Sequence, residues 1–584
     1  MKHNSLLKAN LSYWLVLILA WLMFVVICSP LRETVIDDDF ATLREAQNYL
    51  SSGSYVPSQW TAPFTFPQIL YGTKVAESLI GLISLPAALR LSNLPFSLLG
   101  IISLFIILQQ HTISKKASLI CCFQLIASSI YMYLSYLFYS DIPALATGLL
   151  SIALYNYGLS GNRRLAFLFA SLSASASILF RQTGIAIFIA LILFMLFKKE
   201  KGKAALAITA SLILPIACIF YVFSHQANPV TFAAITHNAL QAEYLRSPIA
   251  IAVEFIKRLS LLTIVIVTLS APLSFFVTWC VFRDIRDDQV MSTKTRFFEG
   301  QTQLSSSHHL FQLTLCILFV ISILVSRLIQ GEPIWLPYLP WYYSYEFIPK
   351  AISNPLFSVW VLLSSVLVLY IFSLFFSEKL TTVTHPKAGQ NIVSASMQIF
   401  GKLTLFDWFA VSNLILLLAI FKVGDKYFIV LIPWFLVFIG RYFQCFIEKY
   451  FLLILMIMSL VTIGNAAILD KSYAVMEAEF RAVSHLQDLG VTDDNIWYSM
   501  ASYTNFNDYV EEVGMMPPQI EKGIYYDFFN RWAPGRARQA QYHVVRLGER
   551  EDQWTMVSGE IINEIEVQHW GRSTTKVLTV RVLP

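Results

Sequence analysis

Long apolar runs separated by short polar connections fill the chain up to about residue 470. Segment 11–29 has about 19 apolar residues, enough for a helix to cross the ~30 Å hydrocarbon core of a bilayer. The further runs lie at 91–110, 117–134, 142–158, 165–180, 184–197, 204–224, 259–281, 310–330, 355–377, 405–421, 427–446 and 451–469. The pattern predicts an α-helical polytopic membrane protein with about 13 transmembrane helices.

Composition and charge agree with this class. Hydrophobic residues make up 56% and charged residues 14% of the chain, values typical of polytopic membrane proteins rather than soluble ones. The net charge of +5 is only mildly basic, and we expect no nucleic-acid partner. The seven cysteines lie in or beside apolar runs, so we expect neither a disulfide in the polar C-terminal part nor a thiolate metal site.

Basic residues set the predicted orientation in the membrane. Lys2 and Lys8 precede the first span with no acidic residue beside them, so the positive-inside rule keeps them in the cytoplasm. Further basic groups recur at Lys115-Lys116, Arg163-Arg164, Lys198-Lys199-Glu200-Lys201, Arg283 to Arg296, Lys379 to Lys387, and Arg441 to Lys449. With an odd number of spans, the outer loops and the C-terminal part lie on the non-cytoplasmic side of the membrane, which in a bacterial inner membrane is the periplasmic side.

Segment 66–89 is apolar but carries Lys74 and Glu77. A charge at the centre of the bilayer costs roughly 2.5–3.5 kcal/mol, and a crossing here would also invert every later loop. We therefore expect segments 40–51 and 66–89 to be helices lying along the outer membrane surface. Gly53 is the expected C-cap of the first of them.

The part after residue 470 has a different pattern. Segment 473–489 repeats its apolar residues as an amphipathic helix does. Short strand-like runs follow it at 496–498, 543–545 and 577–580. This predicts a transmembrane catalytic domain at 1–470, with an acidic motif in its first outer loop 30–90, and a small periplasmic α/β domain at 471–584.

Acidic residues stand at the outer ends of the predicted spans. Asp37, Asp38 and Asp39 follow the first span, and their mutual repulsion should raise the pKa of at least one of them toward neutrality, which makes it a candidate general base. Capping of the helix at 40–51 accounts for one of these carboxylates but not for three. Asp141 lies at the same membrane level, where it is a candidate for the same site or for a helix N-cap.

Three basic residues occupy short outer turns, against the positive-inside trend. Arg181 lies between two apolar runs, and Lys422 and Lys426 flank another turn. A guanidinium or ammonium group in this place is a candidate ligand for a lipid phosphate. The alternatives are snorkelling of Arg181 to the interface and pairing of the lysines with Asp425 or Asp141.

Three stretches share their order and outer placement with a known family. They are Asp38-Asp39 with Leu50-Ser51-Ser52-Gly53-Ser54-Tyr55, then Ser140-Asp141-Ile142-Pro143, then Asp425-Lys426-Tyr427-Phe428 through Leu431-Ile432-Pro433. Over roughly 1–470 the chain thereby resembles the GT-C superfamily of polyprenyl-phosphate-sugar-dependent glycosyltransferases. The likeness is to the bacterial family 39 type, which includes protein O-mannosyltransferases and the aminoarabinose transferase of lipid A. The chain departs from that pattern at Asp39, where many relatives have Glu, and at Lys426, where Arg is usual.

The resemblance implies that a sugar is transferred from a polyprenyl-phosphate donor to a glycan, lipid or protein acceptor, with inversion at the anomeric carbon. Asp38 matches the family's catalytic aspartate and is the expected general base. Asp39 and Asp141 are expected to orient the acceptor or to hold a divalent cation, Mg or Mn, and no other cofactor is indicated. The residues expected to stabilise the leaving phosphate are Arg181, Lys422 and Lys426.

Two other functional classes stay open at this point. A transporter or flippase of a lipid-linked saccharide places charged residues along a path through the membrane, whereas here they cluster at the outer ends of spans. An O-antigen ligase or polymerase relies on Arg and His in a large outer loop, and loop 225–257 contains His225 and His237. Consumption of a lipid-linked sugar, with gain of one residue by an acceptor, distinguishes transfer from transport.

Overall fold

The computed structural model describes the chain in separate ranges. Apart from isolated positions, these are 2–28, 39–53, 66–79, 81–161, 164–198, 266–267, 269–286, 403–419, 425–492, 495–497, 541–547, 559–569 and 572–582. Within them the chain is mostly helical, and one small sheet lies near its C-terminus.

The helices follow the apolar runs of the sequence. The first ones are α1 (Lys2–Cys28), α2 (Asp39–Ser52), α3 (Phe66–Leu79), α4 (Leu85–Gln110), α5 (Lys115–Ala127) and α6 (Ser129–Tyr136). The later ones are α7 (Asp141–Gly161), α8 (Arg164–Phe180), α9 (Ala186–Lys198), α10 (Leu273–Arg286), α11 (Leu405–Ala419), α12 (Ile432–Lys449) and α13 (Phe451–Asp488). Short 3₁₀ segments at Gln182–Ile185 and Asp425–Leu431 precede α9 and α12.

Several of these helices are suited to a membrane. Among the described residues, four are long and apolar enough to cross one, and five if the bent pair α5 and α6 counts as a single span. Shorter apolar helices lie at Ser12–Cys28, Arg164–Phe180, Thr183–Lys198 and Leu405–Leu417. The predicted spans at 204–224, 310–330 and 355–377 fall outside the described residues, so the number 13 stays a prediction.

The helix termini define two ends of the bundle. α7 begins at Asp141, α8 ends at Phe180 and α4 begins at Leu85, and we call this side the Asp141 end. α4 ends at Gln110 and α5 begins at Lys115 on the opposite side, the Lys115 end. The positive-inside rule predicts that the Asp141 end faces outward.

The predicted single span at 117–134 is two helices instead. α5 and α6 meet at Ser128 with a bend of 62°. Ser128 takes an extended conformation (φ −65°, ψ 121°) that cannot continue a helix, so α6 starts in a new direction. Because α6 already stops at Tyr136, the chain reaches Asp141 through a short connection, residues 137–140.

The two predicted surface helices are present as α2 and α3. Gly53 ends α2 as predicted: its φ is +68°, and its N–H donates to the Tyr49 carbonyl at 2.9 Å. The predicted second helix, 66–89, is shorter than expected. Gly81, with φ +91°, interrupts it, and the chain from Leu85 onward belongs to α4.

α2 and α3 pack against the Asp141 end through one small apolar cluster. Its buried members are Ala46, Ile69, Ala76, Ala88, Leu89 and Phe138. Gly72 on α3 faces the Phe138 ring so closely that an added Cβ would lie 2.2 Å from the ring carbon Cζ. The cluster therefore joins the α2–α3 unit to the connection that precedes α7.

α13 is one continuous helix of 38 residues, where the sequence predicted a span at 451–469 and a separate helix at 473–489. The predicted domain boundary at 470/471 lies inside this helix. Its first part packs into the main apolar core, whereas Val475, Ala482 and Leu486 pack against the C-terminal sheet.

The C-terminal sheet has four described strands, β1 (Ile496–Trp497), β2 (Tyr542–Leu547), β3 (Gly559–His569) and β4 (Arg572–Val582). Their order is β1-β2-β4-β3, with β1 parallel to β2 and the other pairs antiparallel. Three of them contain the predicted strand runs, and β3 was not predicted. The sheet thus forms a second small core on the far part of α13.

We expect opposite effects from adding a methyl group at two helical glycines. Gly72→Ala should lower the free energy of unfolding by about 1–3 kcal/mol, because the Phe138 ring must move. Gly464→Ala in α13 should raise it by about 0.5–1 kcal/mol, because among the described residues no atom outside its own stretch of helix backbone lies within 4 Å of the new Cβ. Chemical unfolding in detergent measures both variants, and equal stabilities would contradict the packing of α3 on Phe138.

Candidate active site at the Asp141 end

Asp141 is a buried carboxylate at the start of α7. Its side chain is only 2% exposed. The first helical backbone bond runs from the Ala144 N–H to the Ser140 carbonyl at 3.0 Å, so Ser140 holds the N-cap position and Asp141 follows it. A negative charge in the first turn is favourable next to the helix N-terminus, but a carboxylate this deeply buried also needs a specific partner.

That partner is Arg181, the residue that follows α8. Its Nη1 donates to Asp141 Oδ2 and lies 3.4 Å from the Ser140 hydroxyl oxygen. The Arg181 side chain is 18% exposed, so the pair is buried on the aspartate side and reaches the surface on the arginine side. The sequence suggested Asp141 as a partner for Lys422 or Lys426. In the structure, Asp141 pairs with Arg181.

Close packing of α7 on α8 holds the two charges together. The Ser177 hydroxyl on α8 donates to the Ala144 carbonyl on α7 at 2.7 Å. After Arg181 the chain folds back over α8, and a Cβ on Gly184 would lie 2.5 Å from the Ser177 carbonyl carbon. Only glycine can occupy that position without moving the backbone that carries Arg181.

A cleft opens beside the ion pair, with about 360 Å³ of empty space including its open mouth. Its polar lining comes from Asp141, Arg181, Ser177, Thr183 and Asn413. Its apolar lining comes from Ala144, Leu145, Gly184, Phe409 and Val430. The cleft, between α7, α8, α11 and the 3₁₀ segment before α12, therefore offers both charged and apolar side chains.

Two buried amide side chains hold the backbone just before Asp141. Asn93 on α4 donates from Nδ2 to the carbonyls of Leu137 and Tyr139, at 2.5 and 2.9 Å. Gln68 on α3 donates from Nε2 to the Phe138 carbonyl at 2.9 Å. The connection 137–140 is thus bonded to two different helices.

The structure brings together only some of the residues that the sequence singled out. Asp141 and Arg181 are in contact, as described. Asp38 and Lys422 lie outside the described residues. Asp39 is the first residue of α2 and Lys426 lies in the 3₁₀ segment Asp425–Leu431, but their side chains are outside the described part.

A divalent-cation site stays a prediction. Within the described ranges, no three His, Cys, Asp or Glu side chains are grouped as metal ligands. Of the acids proposed as ligands, Asp141 is engaged by a guanidinium. The chemistry of Asp38 and Asp39, two adjacent carboxylates, suits Mg or Mn, which prefer oxygen ligands.

Sequence reasoning missed Gln68, Asn93, Ser177 and Asn413. Asn93 and Asn413 each stand inside an apolar run, at 91–110 and 405–421, and that isolation is the signal available in the sequence. A buried amide in an apolar helix requires a partner, because an unsatisfied polar group costs about 1–3 kcal/mol. An isolated Asn in an apolar run therefore indicates that its side chain has a hydrogen-bond partner, but the sequence does not show which group that partner is.

Removing the arginine of the buried pair should destabilise the protein strongly. We expect Arg181→Ala to lower the free energy of unfolding by about 3 kcal/mol, because the Asp141 charge stays buried without its partner. Arg481→Ala is the matched control: it breaks the exposed pair of Arg481 with Glu477 on α13 and should cost less than about 1 kcal/mol.

A double variant distinguishes the loss of the ion pair from the cost of leaving the Asp141 carboxylate buried without Arg181. In Asp141→Asn/Arg181→Ala the carboxylate is gone, so the double variant should lose less stability than Asp141→Asn and Arg181→Ala lose in sum. Chemical unfolding in detergent gives all of these values. Equal losses for Arg181→Ala and Arg481→Ala would show that the Asp141 charge is solvated.

No protein-family model matches the chain, and no curated protein matches it significantly. Among solved structures, the crystal structure of ArnT from Cupriavidus metallidurans bound to undecaprenyl phosphate matches with a TM-score of 0.41 at 12% identity. It covers 97% of this chain and 97% of that chain. ArnT from the same organism in the apo state matches with a TM-score of 0.39 at 12% identity, covering 98% of each chain.

ArnT is a GT-C aminoarabinose transferase of lipid A, the type of protein that the sequence resembles. At TM-scores of 0.41 and 0.39 the superpositions alone establish neither the fold nor the activity of this chain. Both matches extend over almost the whole length of this chain and of ArnT.

Proposed function

We propose that the protein is a membrane glycosyltransferase that moves a sugar from a polyprenyl-phosphate donor to an acceptor at the Asp141 end of the bundle, on the periplasmic side. The observation that supports this best is the buried pair of Asp141 and Arg181 in a cleft that is also lined by apolar side chains. The α2–α3 unit, which begins with Asp39 of the acidic motif, packs against the same end.

The cleft matches the two parts of a lipid-linked donor. A polyprenyl phosphate joins a charged phosphate to a hydrocarbon chain, and the cleft is lined by Arg181 together with Leu145, Phe409 and Val430. A guanidinium presents several N–H groups in one plane, the geometry that suits phosphate oxygens. In this proposal Arg181, with Lys422 and Lys426 from the turn before α12, stabilises the phosphate as it leaves.

The transfer is a single displacement. The Asp38 carboxylate takes the proton of an acceptor hydroxyl, and the oxygen attacks the anomeric carbon from the side opposite the phosphate. The bond between that carbon and the phosphate oxygen breaks, and its electron pair leaves with the polyprenyl phosphate. The sugar is inverted, and no covalent intermediate with the protein forms. Asp39 and Asp141 orient the acceptor, or hold a cation together with Asp38.

The distribution of buried charge favours surface chemistry over transport. Within the described ranges, the buried charged side chains are Glu45, Arg90, Asp141, Asp470 and Glu479. They belong to α2, to the first turns of α4 and α7, and to the part of α13 near the sheet. A transport path needs polar groups along the middle of the membrane. His225 and His237, which favoured an O-antigen ligase, lie outside the described residues.

We expect Asp38→Asn to lower the transfer rate about 100-fold or more, because an amide of the same shape cannot accept the proton. Asp37→Asn, which removes the neighbouring carboxylate of the triplet, is the matched control and should retain most of the rate. The assay uses purified protein and an undecaprenyl-phosphate-linked sugar and follows sugar gained by an acceptor. Transfer at the normal rate by Asp38→Asn would exclude Asp38 as the base.

The orientation of the bundle has a separate test. Asp38→Cys should react with a membrane-impermeant maleimide added outside the inner membrane. Lys116→Cys, exposed near the Lys115 end, should react only after the membrane is permeabilised. Both are made with Cys445→Ser, because the Cys445 thiol is itself exposed. Labelling of position 38 only from the cytoplasm would contradict a periplasmic site.

A further inference from the structure

We propose that Gln68 and Asn93 are positioning residues: they hold the connection 137–140 and thereby fix Asp141 against Arg181, and Gln68 couples the α2–α3 unit to that ion pair. The inference rests on the proposed function for its catalytic consequence. Its structural part, a hydrogen-bonded tie between two helices and the start of α7, stands on the geometry of this chain alone.

The connection is buried although it is not helical. Every residue from Leu137 to Asp141 is buried, and the most exposed of them, Ser140, is 8% exposed. Buried backbone carbonyls need hydrogen-bond donors, and a stretch without regular secondary structure has to obtain them from side chains or water. At the end of an apolar bundle, side chains are the donors that the protein can place with a fixed geometry.

The two amides bond the connection from two different helices. The carbonyls of Leu137 and Tyr139 both accept from Asn93 on α4, and the carbonyl of Phe138 between them accepts from Gln68 on α3. Both amide residues are 1% exposed, so water does not compete freely for these bonds.

This tie has consequences for both acidic parts of the site. Asp141 comes two residues after Tyr139, so a shift of the bonded carbonyls shifts the start of α7 and the Asp141 carboxylate. On the other side, Gln68 belongs to α3, which shares an apolar cluster with Ala46 on α2. Asp39 lies seven residues before Ala46 on the same helix, about 10 Å along its axis. Gln68 therefore links the helix of the acidic motif to the ion pair.

A structural experiment tests the tie without any substrate. Gln68→Met and Asn93→Leu keep a similar side-chain volume but remove the donor. We expect amide hydrogen exchange in peptides covering 137–146 to become about 10-fold faster or more in each variant. The matched control is Gln109→Met near the Lys115 end, where Nε2 donates to the Ile113 carbonyl and the Ser118 hydroxyl. It should leave that exchange unchanged. Unchanged exchange in both test variants overturns the tie.

A kinetic experiment separates positioning from simple support of the fold. A displaced catalytic group lowers the rate of the chemical step, by up to about 100-fold for an ångström of misplacement, without weakening donor binding. We expect Gln68→Met and Asn93→Leu to lower kcat about 10- to 100-fold with the donor KM within about 2-fold of wild type. Faster exchange with a normal kcat would assign both residues a structural role only and overturn the positioning role.

A third variant gives a pH signature and keeps the test usable if Gln68→Met does not fold. In Gln68→Glu only the protonated carboxyl can donate to the Phe138 carbonyl, so kcat should recover as the pH falls. Gln68→Met should show no such recovery, and a Gln68→Glu variant with the pH profile of wild type overturns the role of Gln68. If wild type transfers no lipid-linked sugar, the proposed function fails, while the exchange experiment still decides whether the tie exists.

Discussion

A carboxylate that is almost completely removed from water must be held against a positive charge, and at the Asp141 end that requirement organises the surrounding structure. Burial of one ion costs several kcal/mol even after relaxation, and Arg181 supplies the opposite charge against the buried Asp141 carboxylate. The two residues come from the start of α7 and the end of α8. The Ser177 bond to α7 and the close backbone approach at Gly184 are the packing features that keep these two ends in register.

The cost of burying an unpaired polar group also distinguishes the regular helical parts of the bundle from the places where helices end. Where helices are regular, their backbone groups are satisfied internally and the side chains are apolar, which a bilayer demands. Where helices stop, at 128 and at 137–140, some backbone groups have no helical partner and must bond to polar side chains. Buried amides and charges are therefore concentrated near the helix ends. Polar side chains and irregular backbone therefore occur together at the Asp141 end. The irregular backbone has carbonyls outside the helical pattern that need donors, and the buried amide side chains need acceptors.

The sequence predicted the parts of this arrangement that depend on local pattern. Apolar runs gave most of the helices, Gly53 gave the end of α2, and Asp141 and Arg181 stood out as charges at the ends of apolar runs. The contact between those two could not be predicted, because they lie 40 positions apart and meet only through the packing of α7 on α8. The continuity of α13 was missed because the charged residues Asp470 and Lys471 directly follow the apolar run 451–469, a pattern typical of the end of a transmembrane helix. β3 was missed because Ile562-Asn563 breaks the alternation of apolar and polar residues, at the point where its pairing with β4 shifts register. Its three glutamates also have a low preference for strands.

The connection before α7 shows how elements distant in sequence reach one place. Tyr473 on α13 donates to the Tyr136 carbonyl at 3.2 Å, one residue before those bonded to Asn93 and Gln68. Four successive carbonyls, from 136 to 139, thus accept side-chain hydrogen bonds from α13, α4 and α3. The helix that carries the C-terminal sheet is bonded to the same few residues as the helix unit that carries the acidic motif. A displacement of α7 must stretch or break bonds to all three, so the position of Asp141 is set by the whole end of the bundle rather than by its own helix.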